Sequence, residues 1–132
     1  MLVPVAGVVL LAGCGDGGAR ENAVLAGRAL PSRTVEVAGV SVEVSPRRLD
    51  STGATFAVTF DTHEGALDLD PADGARLRVG GVAWTDARWR GDGPGGHHRS
   101  GELRFAPGGA VKGPIRLTIS GLAHPVTVEW TG

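Results

Sequence analysis

From Thr34 onward, apolar residues recur at every second position, in short runs broken by glycine and proline. Val40, Val42 and Val44 alternate with Ser41, Glu43 and Ser45. Phe56, Val58 and Phe60 follow the same rule, as do Leu77 and Val79, Leu103 and Phe105, Ile115, Leu117 and Ile119, and Val126, Val128 and Trp130. A period of two with one wet face is the mark of antiparallel sheet, and no window shows a helical period long enough for a full helix. Turn chemistry separates the runs, at "AG", "PRRLDSTG", "PADG", "VGG", "PGG", "APGG" and "SGLAHP". The pattern predicts strands at 40–45, 53–62, 75–79, 82–90, 100–106, 113–120 and 125–130, with a single turn near Asp70–Ala75. About seven strands in one domain favour an immunoglobulin-like antiparallel β-sandwich, with a small β-barrel as the alternative. The Cys…Trp…Cys hallmark of true immunoglobulin domains is absent, so the likeness is architectural.

Two breaks in parity matter. Val35 and Val37 are odd while Val40–Val44 are even, which calls for a tight hairpin or a bulge at Ala38-Gly39. Val82 and Trp84 are even while Ala87 and Trp89 are odd. Either a bulge near Thr85-Asp86 keeps both indole rings inside, or Trp89 points outward.

The first 13 residues, "MLVPVAGVVLLAG", are apolar and end in small residues. A bilayer span needs roughly 20 apolar residues, so the run suits a secretory signal better than a mature helix. Cys14 follows at once and is the only cysteine. "LAGC" resembles the lipobox of bacterial lipoproteins, in which the signal is removed before a cysteine that is then lipidated. No Lys or Arg precedes the run, so the basic n-region of such a signal is expected upstream of Met1. The competing reading is a buried strand with an incidental cysteine. The expected organisation is a signal peptide over 1–13, lipidated Cys14 with a flexible linker to 33, and a β-sandwich over 34–132. That places the protein at the extracytoplasmic face of the cell membrane, held by Cys14.

A lipidated Cys14 leaves the mature chain without sulfur, because Met1 is the only methionine and leaves with the signal. Blue-copper and Cu(I) sites, which need thiolate or thioether ligands, are thereby excluded. With 13 Lys and Arg against 14 Asp and Glu, the net charge is −1. Nucleic-acid binding is not expected from a chain with no basic excess.

Chemistry then rests on four histidines: His63, His97, His98 and His124. If successive strands run antiparallel, the loops after the second, fourth and sixth strands share one end. Those loops carry all four histidines, with Asp61, Glu64 and Asp92 nearby. A strand at Ala66–Asp70, or a crossing between sheets, would upset this count. Imidazole and carboxylate without sulfur suit Cu(II), Zn(II) or Ni(II). The candidate metal ligands are His63, His97, His98 and Asp61. Adjacent histidines chelate poorly on a strand, where neighbours face opposite ways. The same side chains also suit a hydrogen-bonded network, with Asp61 capping the "DTHEG" turn, or a solvated loop tip in which His97, His98, Arg99 and Ser100 face water. Trp89, if outward, offers a contact for a ligand or an envelope protein.

Other constellations are weak. Ser100 and Ser120 lack a G-x-S-x-G elbow or an S-x-x-K motif. "DLDPADG" misses the calcium-loop spacing. Asp68 and Asp70 lack the aromatic platform of a glycosidase. Catalysis is therefore not expected.

"FAVTFDTHEGALDLD", Trp89 and "GGHHRSGELRF" together resemble a group of uncharacterised extracytoplasmic or membrane-attached domains with D-T-H and G-G-H-H-R-x-G stretches. The resemblance covers about residues 40–130 and implies that Asp61, His63, His97 and His98 form one set. The exported setting is also loosely similar to that of periplasmic copper carriers, whose ligand pattern has no residue-by-residue match here. The expected function is a non-catalytic binding module. It would bind a divalent metal or, alternatively, serve as a structural or interaction module whose histidines lock the loops.

Overall fold

A computed structural model describes residues 22–25 and 28–131, with side chains from Leu30 on. The expected signal peptide and Cys14 lie outside the described residues. The fold is all-β. Its eleven described strands are β1 (Asn22–Leu25), β2 (Arg28–Pro31), β3 (Arg33–Val37), β4 (Val40–Asp50), β5 (Gly53–Thr62), β6 (Arg76–Val79), β7 (Val82–Trp84), β8 (Arg88–Gly91), β9 (His98–Phe105), β10 (Ile115–Ile119) and β11 (Val126–Trp130).

One sheet has the order β3-β4-β5-β9-β8, the other β11-β10-β6-β7, and β1-β2 forms a separate hairpin. Every described pairing is antiparallel. The sheets are open, so the sandwich holds and the barrel alternative does not. Alternation explains the core directly. Val42, Val44, Phe56, Val58, Phe60, Leu103 and Phe105 of the first sheet are buried, and Leu77, Val79, Ile115, Leu117, Ile119, Val126, Val128 and Trp130 of the second join them. Phe56 stacks on Trp130 at 5.8 Å and meets Phe105 edge-on.

The segment expected as linker contains the β1–β2 hairpin, and Leu30 is 1% exposed within the core. Trp130 Nε1 donates to Pro31 O at 2.8 Å, tying this hairpin to the last strand. The sequences of β1 and β2, NAVL and RALP, do not alternate apolar with polar residues, which is why the pattern passes over them.

Both parity breaks have a structural cause. Ala38-Gly39 is a two-residue hairpin with φ of 49° and 84°, joining Val37 directly to its partner Val40. Positive φ at both central positions is the type I′ geometry that suits the sheet twist. The second break is a crossing between sheets. β7 pairs with β6, β8 pairs with β9, and the chain passes over through Asp86 at φ 59°. Ala106 N donates to Thr85 O at 2.9 Å and pins the crossing. Trp84 lies opposite Leu77 in one sheet and Trp89 opposite Leu103 in the other, so both rings turn inward. The expected strand 82–90 is thus two strands. They run in the same direction, so the alternation of loop ends survives.

Candidate functional site at the histidine end

Ala66–Asp70 is not a strand. Leu67 is buried and pairs both ways with the glycine loop, its N donating to Gly96 O (3.0 Å) and its O accepting from Gly95 N (2.9 Å). With no strand inserted, the end of β5 meets the start of β9, in the register His98 to Asp61, Arg99 to Phe60 and Ser100 to Thr59. The β10–β11 turn closes over the same end, Ser120 Oγ reaching Gly74 O at 3.5 Å. All four histidines therefore sit at one end of the sandwich.

They do not converge. His98 Nδ1 is bonded to Asp61 Oδ1 at 2.5 Å, with both side chains more than half exposed. The carboxylate only accepts, so Nδ1 carries the proton and Nε2 faces away. His97 is exposed, and its carbonyl accepts from Thr62 N at 2.9 Å. His63 lines a different, shallow groove of about 500 Å3 against the Ala38-Gly39 turn. His124 is exposed in its turn. Among the described residues, no three His, Cys, Asp or Glu side chains are placed to share a metal ion. The turn after β5 is held by Thr62 and not by Asp61. Thr62 Oγ1 donates to Glu64 O at 2.8 Å and lies 3.2 Å from Glu64 N.

The residue at the centre of this end is Arg99. Alternation along β9 sends His98 and Ser100 outward and Arg99 inward, where it is 2% exposed. The expectation of a solvated Arg99 fails for that reason. Its NH1 donates to Leu67 O (2.9 Å) and Leu69 O (2.5 Å), and its NH2 donates to Asp92 O (3.0 Å). The guanidinium lies 5.8 Å from the Trp89 ring centroid. Nε is buried without a partner. Among the described residues no carboxylate forms an ion pair with Arg99. A guanidinium cannot shed its proton, so three carbonyl dipoles and the face of an indole carry the compensation.

Asp92 completes the arrangement. Its N donates to Ser100 O, its Oδ2 accepts from Ser100 N, and its O accepts from both Arg99 and Trp89 Nε1 (2.9 Å). Trp89 is half-buried against Phe60, 6.1 Å away and edge-on. Its other neighbour is Gly101, where a Cβ would come within 2.7 Å of the indole and of Arg90 O. "HHRSG" is thus an outward ligand to Asp61, an inward clamp, and a gap for Trp89. The inward role was available from parity, because stepping back by two from Phe105 and Leu103 lands on Gly101 and then Arg99.

No family model matches this chain, and no curated protein or solved structure does either.

Proposed function

We propose that this chain is a membrane-anchored extracytoplasmic lipoprotein whose sandwich is a non-catalytic interaction module, with the "GGHHRSG" stretch as a loop clamp. The observation that carries the reading is the Arg99 cradle. The single buried cation of the motif is spent on main-chain carbonyls, and its neighbour His98 on Asp61. Groups committed in this way hold loops in place. Anchoring rests on the "LAGC" resemblance at Cys14.

A divalent-metal reading keeps one specific support. An imidazole whose Nδ1–H is held by a carboxylate presents Nε2 as metal ligands usually do. His63 and His97 would have to move to join it.

Calorimetric titration of the full chain in neutral detergent with Cu(II) and Zn(II) separates the two. The loop-clamp reading expects no stoichiometric heat. Saturable binding that disappears in both His97→Ala and His98→Ala would replace it with the metal reading. For the anchor, Cys14→Ser should move the protein out of the membrane fraction, and unchanged retention would overturn lipidation.

A further inference from the structure

β8 is the outermost strand of its sheet, with no second neighbour among the described residues. Its sequence, Arg88-Trp89-Arg90, puts two guanidiniums on the outer face and an indole on the inner one. A groove of about 530 Å3 at this strand is lined by Arg88, Trp89, Arg90 and Arg104 together with Asp70 and Ala72.

The arginines are poorly compensated. Arg88 lies directly opposite Arg104, and like charges in that relation destabilise a sheet. Arg104 is paired with Glu102 at 2.8 Å, which draws Glu102 from its cross-strand neighbour Arg90. Neither Arg88 nor Arg90 is ion-paired among the described residues. Asp70 is occupied in its own turn, accepting from Ala72 N at 3.1 Å. The other sheet has the same like-charge register, Arg78 opposite Arg116, but satisfies it internally. There Arg116 pairs with Glu129 at 2.6 Å and Arg78 donates to Gly81 O. The positive row also continues across the first sheet to Arg48, opposite Thr55, which is itself opposite Arg104.

We propose that the free edge of β8 receives an extended acidic segment of a protein partner. The segment would pair as an added strand, with its carboxylates on Arg88, Arg90 and Arg104 and its alternate apolar side chains on Trp89 and Ala72. Strand addition takes affinity from main-chain bonds and selectivity from every second side chain. Arg88 and Arg90 are two residues apart, roughly 7 Å along the strand, and the alternate residues of an added strand repeat at that spacing. This inference rests on the interaction-module reading and names the chemistry of the partner. It is measured without a membrane, so a failed Cys14 anchor and a failed edge are told apart.

The probe is a fluorescein-labelled peptide of about eight residues alternating Glu and Val, followed by anisotropy against the full chain in neutral detergent. The Glu/Val peptide should bind, and a Lys/Val peptide should not. Arg88→Glu with Arg90→Glu should weaken binding at least about tenfold. Arg76→Glu, on the other sheet, should leave it unchanged. The same Glu/Val peptide N-methylated at alternate amides should lose binding. Equal binding of the Glu and Lys peptides, or of neither, would overturn the proposal. So would indifference to the double substitution. Retained binding of the N-methylated peptide would reduce the edge to a general anion contact and overturn strand addition.

Discussion

Arg99 shows how one residue can be surface-like in composition and interior in position. Its three carbonyl partners lie outside the strands, Leu67 and Leu69 between β5 and β6 and Asp92 just after β8, and the fork ties the two segments together. Arg99→Met keeps the stem and removes the fork, leaving those carbonyls buried. The expected loss is about 3 kcal/mol or more, read by denaturant melting. Arg99→Lys should recover only part of it, because a point donor cannot span the fork. A Met variant as stable as the parent would mean that the loops hold without the clamp. Asp50 is a smaller case at the opposite end of the first sheet. The Thr52 hydroxyl, and then the Thr52 amide (2.8 Å), bond to its carboxylate and hold its pKa below the usual carboxylate value. A carboxyl with a lowered folded-state pKa stabilises the fold at neutral pH. That share is lost as pH falls through the carboxylate range toward the folded pKa. Acidification from neutrality to below about pH 4 should therefore lower the melting temperature of the parent slightly more than that of Thr52→Val. Identical pH profiles would contradict it.

Element by element, what was legible follows from how cleanly each strand alternates. β4, β5, β9, β10 and β11 each show several turns of the period, and the core-facing residues read from the pattern are the buried ones, apart from half-buried Val40. β1 (NAVL) and β2 (RALP) do not alternate and escaped notice, whereas β6 (RLRV), equally short, alternates and was read. The run at 82–90 read as one strand because periodicity reports inside and outside, and the inside is shared by both sheets. Only the parity slip marks the crossing at Asp86. The site was half legible for a related reason. Proximity of Asp61 and His98 follows from pairing β5 with β9, whereas convergence of His63 and His97 depends on loop paths that no alternation rule describes. The packing of β8 on β9 is testable by itself. Gly101 faces Gly91, and their backbones approach so closely that a Cβ at either would strike main-chain atoms. Gly101→Ala should cost about 1–3 kcal/mol in thermal or denaturant unfolding, and near-neutrality would show that the two strands can part without loss.

For the molecule as a whole, the sandwich has two unlike ends. One gathers the histidines, the Arg99 clamp and three loops, while the row Arg48, Arg104 and Arg88 lies toward the other. Of the three connections that carry the chain between the sheets, the shortest, Thr85–Ala87, lies between Trp84 and Trp89. The sheets are therefore joined covalently at the very place where both bury an indole.

The clamp also has a consequence in time. Exposed loops ordinarily surrender their amide protons to solvent within moments, because they open without disturbing the core. Here the amides of Leu67 and Gly95 are bonded within the loop pair that lies over a buried guanidinium. Freeing them means unseating Arg99, and unseating Arg99 disturbs Phe60 and Trp89 beneath it. In a hydrogen–deuterium exchange experiment these two loop amides should be protected almost as well as those of β5 and β9. The exposed amide of Gly109 should exchange at once. The loops at the histidine end would then belong to the slowest-opening part of the protein.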